Sequence, residues 1–212
     1  MARKIATHIS SIDPNHLVSS GTQGFLCADC PKIAQIGFGS FQLFPDQNQY
    51  APDDPNLPAF NNTVQAGLQW IRMHSQSSQT ANKPIIMSGF GLVTQESAPS
   101  FVPFNSTVAP FANDQIGNVT LNPGVAPYGV TDPQRNDAYM QWLQQGIASG
   151  LAGIIQYQAR SPFHAPTITE NGIEPVQNST GVSPSDGYSI VGVGQESVQN
   201  VIQQAAQQFA PN

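Results

Sequence analysis

Charge is scarce in this chain. Only 9% of its 212 residues are Asp, Glu, Lys or Arg, against about a quarter in an average soluble domain. The seven basic residues are spread along a chain of net charge −6. No patch can neutralise a phosphate backbone, so nucleic acid is excluded as an expected partner. Cysteine is nearly absent, at two residues, below the four or so ligands of a zinc site; no cofactor is expected. No apolar run approaches the ~18 residues of a membrane span, so no membrane partner is expected. The opening MARKIATHIS lacks the apolar core of a signal peptide. Glutamate is rare, confined to Glu96, Glu170, Glu174 and Glu196.

What fills the gap is Asn, Gln, Ser, Thr, Gly and Pro, a polar but uncharged balance common outside cells. Four glycosylation sequons, at Asn61, Asn105, Asn118 and Asn178, lean the same way. The two cysteines, Cys27 and Cys30, are spaced Cys-x-x-Cys and followed by Pro31 rather than by a helix start. A local loop disulfide, two free thiols, and redox or metal chemistry are the open readings, in falling order.

Periodicity predicts a helix over Lys4 to Ile12, with Ile5, Ile9 and Ile12 at helical spacing. A turn at Asp13-Pro14-Asn15-His16 and a short strand from Leu17 to Gly21 follow. A second strand is expected over Gly37 to Phe44. The next helix, Thr63 to Ser78, carries a Val64, Leu68, Ile71 stripe with Ala66, Trp70 and Met73 beside it. Pro84 to Met87 is compact and apolar, as a buried parallel strand should be. Leu92 to Pro133 is a proline-rich stretch without periodicity. A helix over Asn136 to Ser149 should bury Met140, Leu143 and Ile147. A strand over Gly153 to Gln158, a long polar excursion, and a helix from Gln195 to Phe209 complete the order, the last with Val198, Val201, Ile202, Ala205 and Phe209 inward. Strands alternating with helices or loops imply a single α/β domain over 1–212, with a parallel sheet.

Several segments carry a more specific likeness. IATHISSIDPNHLVSSGTQGF, GFGSFQLFPD, KPIIMSGFG and DAYMQWLQQGIASGLAGIIQYQ occur in that order. They resemble the second half of endo-β-1,4-mannanases of glycoside hydrolase family 5. The resemblance implies a partial (β/α)8 TIM barrel covering strands five to eight, in a secreted, extracellular protein whose partner is a polysaccharide or oligosaccharide such as β-mannan.

That family is a retaining one, which needs a nucleophilic carboxylate and an acid/base carboxyl about 5 Å apart. Its nucleophile is the Glu before Phe/Tyr-Gly closing strand seven; Gly89 stands there, between Ser88 and Phe90. Ser88 should point to the opposite face of the strand. The Asn-Glu-Pro motif that supplies the acid/base occurs nowhere in the chain. Gln42 replaces the family's strand-six His, Phe44 its Tyr, Gln156 and Gln158 two Trp of strand eight, and Gln23 an acidic residue after strand five. Gln156 and Gln158 should share a strand face.

A mouth lined by Gln23, Gln42, Gln156 and Gln158 offers donors and acceptors without charge, suited to sugar hydroxyls. Asp46 and Tyr157 are further candidate substrate contacts, or else a loop cap and a core aromatic. His16 is expected to be structural, and His8, His74 and His164 have no companion for catalysis. Three functions fit: a non-catalytic glycan-binding relative; a fragment or decayed product without activity; and a working mannan hydrolase completed by a missing N-terminal half. Four strands of a closed barrel leave two free edges, so self-association, or pairing with the missing half, is expected.

Overall fold

A computed structural model describes residues 1–21, 23–26, 32–46, 56–97, 130–157, 166–169, 172–175, 187–190 and 194–209. Four helices and a parallel sheet make up an α/β fold. Helix α1 (Ala2–Ile12) leads through the DPNH turn, where Asp13 Oδ2 sits 2.6 Å from His16 Nδ1 and Oδ1 accepts from the Asn15 N–H. The expected strand at residues 17–21 is reduced to parallel bridges, Val18 to Ile36 and Gln23 to Ser40.

Strand β1 (Gly39–Leu43) pairs in parallel with β2 (Ile85–Phe90), and β2 with β3 (Gly153–Ile154). Sheet order thus follows chain order. The β1–β2 register shifts between Phe41 and Gln42, so that Phe41 faces Met87 but Gln42 faces Gly89. Such a bulge re-aims the residues beyond it. Beyond the two-residue β3 ladder, the N–H groups of Ile155 and Tyr157 still donate to Met87 and Phe90 carbonyls. The polar excursion holds an unforeseen antiparallel pair, β4 (Pro166–Thr169) and β5 (Gly172–Pro175). Its Thr and Ile content suits paired strands.

Helices α2 (Ala59–Ala81), α3 (Asp132–Ala148) and α4 (Glu196–Phe209) run longer than, or close to, the spans that periodicity predicts. Helix α3 starts at a capping box, with Gln134 N–H donating to Thr131 Oγ1 and Thr131 N–H to Gln134 Oε1. Pro133 sits in the first turn, where its missing N–H costs nothing.

The core lies between the sheet and α2, α3 and α4. Phe41, Leu43, Ile71, Ile85, Met87, Phe90, Tyr139 and Trp142 are sealed from solvent. Trp142 reaches across to α2, donating from Nε1 to the Val64 carbonyl at 3.1 Å. Gly67 makes this approach possible: a Cβ there would lie 2.4 Å from Trp142 Nε1.

Several expected core positions are displaced. Met140 and Met73 are exposed, because α3 turns Arg135, Ala138, Tyr139, Trp142, Leu143 and Gly146 inward, and α2 turns Ile71 and His74 inward. On α4, Val198 and Ala205 are buried while Val201 and Ile202 pack at the margin. On α1 the stripe of Ile5, Ile9 and Ile12 is exposed, and only Ala6 is buried. Among the described residues, no helix is long and apolar enough to cross a membrane.

Candidate functional site

Backbone alternation divides the two faces of the sheet. On β1, Phe41 packs against His74 of α2, with ring centroids 4.2 Å apart and planes 14° from parallel. On β2, Phe90 meets Tyr139 of α3 edge-on at 4.8 Å. The alternate positions, Gln42, Phe44, Gly89 and Tyr157, belong to the other face, at the ends of the strands.

There, three aromatic rings gather over two glycines. Phe44, Tyr157 and Tyr188 contact one another edge-on, at centroid distances of 5.2 to 5.8 Å. Gly89 is buried beneath them: a Cβ on it would lie 3.2 Å from Phe44 Cζ and 3.8 Å from Tyr157 Cβ. Gly91 is tighter still, with Tyr188 Cδ1 at 2.4 Å from the position of a Cβ. Position 89 thus holds no side chain and lies under an aromatic cover. Ser88 is committed to the sheet, its Oγ donating to the Phe41 carbonyl at 3.2 Å.

The predicted polar residues divide into three groups. Gln23 and Gln42 come together, the Gln42 N–H donating to Gln23 Oε1 at 3.3 Å, and both are exposed. The Gln42 carbonyl is held by Trp70 Nε1 at 2.9 Å, which fixes the backbone and leaves the amide side chain to solvent. Tyr157 joins the aromatic cluster and remains 41% exposed, enough to offer a ring to a ligand. Gln156 does not join them. Its side chain lies toward the Tyr139 hydroxyl of α3, and its Nε2 donates to the Tyr157 carbonyl at 2.7 Å. The single-residue alternation of an extended segment puts Gln156 toward the helices when Tyr157 faces the cluster. Gln158, Cys27 and Cys30 lie outside the described residues, as do His164 and the sequons at Asn105, Asn118 and Asn178; Asn61 is exposed on the first turn of α2.

Asp46 also departs from expectation. It is fully buried, and its Oδ2 accepts from the Val93 N–H at 3.0 Å, tying the end of β1 to the segment after β2. Burial drives its carboxyl well above the usual carboxylate range, and the bonds from Val93 and the Tyr188 hydroxyl offset only part of that. A carboxyl so enclosed is a staple between strand ends, not a group presented to a ligand. Burial similarly pushes the Tyr139 hydroxyl up to about 12, so it stays neutral and accepts from the Leu92 N–H at 3.0 Å. Burial lowers the His74 pKa, while its Nδ1 pairs with the Trp70 carbonyl at 2.9 Å.

Sequence reasoning missed Tyr188, which covers Gly91 and reaches Asp46 from a Gly- and Ser-rich stretch with no periodicity. No local pattern marks it; only tertiary proximity does. Among the described residues, no three of His, Cys, Asp and Glu gather as a metal site would require.

The chain's likeness to known proteins bears on this geometry. No protein-family profile matches it. A probable mannan endo-1,4-β-mannosidase C from Aspergillus terreus is 27% identical over 109 residues, 44% of this chain and 24% of that protein. The endo-β-1,4-mannanase of Thermotoga petrophila superposes on 98% of this chain and 39% of its own, with TM-score 0.58 and 19% identity. A variant of the Rhizomucor miehei family 5 mannosidase, solved with mannosyl-fructose, covers 98% of this chain and 47% of its own, with TM-score 0.58 and 18% identity. Its structural neighbours are family 5 mannanases. The chain spans less than half the length of these relatives.

Proposed function

We propose that this protein is a non-catalytic relative of the family 5 mannanases that binds β-mannan or a related glycan, outside the cell, at the ends of its sheet strands. Gly89 is the observation that carries the proposal. A glycine cannot form the glycosyl ester on which retention depends, and Phe44 and Tyr157 pack over that position. Beside it lie the groups that sugar recognition uses: an exposed aromatic face, Tyr157, and the uncharged amides of Gln42 and Gln23. We infer further that the parallel segments correspond to strands five to eight of the family barrel. Val18 at the end of DPNHLV, then FQL, IIMSGF and GI, fall on four successive parallel segments in the same order.

Affinity electrophoresis in gels containing galactomannan, glucomannan or cellulose tests binding. The expected result is retardation by a mannan, weakened at least fivefold in Tyr157→Ala and less in Gln42→Ala. No retardation by any of the three polysaccharides overturns the binding reading. A reducing-sugar assay on the same mannans tests the absence of chemistry, and turnover above buffer overturns it. Gly89→Glu is expected to remain inactive, since the new side chain meets Phe44.

A further inference from the structure

Five of the large aliphatic side chains that this fold leaves open fall toward the two ends of the parallel sheet. At the first end lie Ile5 (51% exposed), Ile9 (41%) and Ile12 (70%) on one stripe of α1, with Leu17 (75%) beside them. At the last end lies Ile155 (54%), just beyond β3. Among the described residues, neither the Val18 segment nor β3 has a strand on its outer side. Both edges therefore present main-chain donors and acceptors next to exposed aliphatic side chains, an arrangement that pairs readily with another chain.

We propose that a second copy of this chain covers both ends, with the first edge of each copy pairing in parallel with the last edge of the other. All segments of the sheet run the same way, so a two-fold axis along their common direction brings first edge to last edge at two equivalent seams. Each copy brings four parallel segments and four long helices. Two copies supply the eight strands and eight helices of a closed (β/α)8 ring, which leaves no edge free. One copy alone cannot join its own ends, because four strands do not span a barrel.

The area is of the right size. At about 200 Å² for each large apolar side chain, the five residues expose on the order of 600 Å² per copy. Adding the backbone of the two edges brings this near the roughly 800 Å² per partner of a stable interface. This inference does not rest on glycan binding, and its test contains no ligand.

Sedimentation velocity on the 212-residue chain measures it, with circular dichroism as the check on folding. A dimer is expected. Ile9→Arg at the first edge and Ile155→Asp at the last edge should each give a folded monomer, since both side chains are already half in solvent. Mixing the two variants is the decisive arm. A mixed pair keeps one seam with both native residues and gathers both substitutions at the other, so the dimer should re-form through the native seam. A monomeric parent chain, a dimer indifferent to both substitutions, or a mixture that stays monomeric would each overturn the proposal. The last outcome would point to pairing of like edges.

Discussion

The two faces of the parallel sheet are built to different standards. Toward α2 and α3, Phe41, Leu43, Met87 and Phe90 meet Ile71, His74, Tyr139 and Trp142 with almost no exposure. Ring contacts and the Trp142 Nε1 bond fix their geometry. On the other face, Gln42 is exposed, Tyr157 and Ile155 are half-exposed, and glycine occupies positions 89 and 91. A catalytic barrel must be exact at its mouth, where the chemistry is done. Here the exactness belongs to the scaffold behind the sheet, and the mouth is filled by packing rings.

The contrast breaks if the helix-facing layer proves dispensable. Trp142→Ala removes a wholly buried ring and leaves the Val64 carbonyl without its donor. Chemical denaturation should show a loss of about 3–5 kcal/mol. A loss below about 1 kcal/mol would mean the α2–α3 contact is not the structural centre. Next in size is Gly91→Ala, whose methyl group would collide with Tyr188. Overpacking of this kind costs about 1–3 kcal/mol, and near-ultraviolet circular dichroism should report the displaced tyrosine. A silent spectrum with unchanged stability would mean the aromatic cover is loose.

Acid should act on the helix-facing side first. The His74 pKa is lowered by burial, so below about 6.5, its ordinary value, the unfolded chain takes up a proton that the folded chain refuses. Stability should fall as pH drops through 6.5 toward the folded value, and His74→Gln should flatten that limb. Asp46 acts in the opposite direction. Its carboxyl stays protonated in the fold while the unfolded chain ionises above about 3.9, so its contribution declines as pH rises toward the raised folded value. Asp46→Asn should remove that decline and leave the chain at least as stable at pH 7. Smallest of all is Tyr157→Ala. A half-exposed ring at the rim should cost at most about 1 kcal/mol in denaturation, even while it weakens glycan retardation. A larger loss would make Tyr157 part of the core and blunt the distinction between the faces.

Much of the architecture was legible beforehand because helices and parallel strands write their periods into local sequence. All four helices fall where apolar spacing puts them, and the strands at Gly39–Leu43 and Ile85–Phe90 lie within or beside their expected spans. The faces of those helices were less legible. Met73 and Met140 have apolar neighbours at the right spacing, yet the inward arc is turned by bulkier Trp142, Tyr139 and His74, whose polar atoms find partners only after packing. At the mouth, alternation along β3 could be counted, but the bulge between Phe41 and Gln42 and the turn of Gln156 toward Tyr139 depend on register between strands.

Gly89 was the residue on which the sequence spoke plainly. A glycine has no carboxylate in any conformation, so its chemistry is settled by identity alone. What tertiary structure decided is the company around it: Phe44 from one strand end, Tyr157 from another, and Tyr188 from a stretch a hundred residues further on. Identity is a local property and proximity is not, which is why the missing side chain at position 89 could be read from the chain and its cover could not.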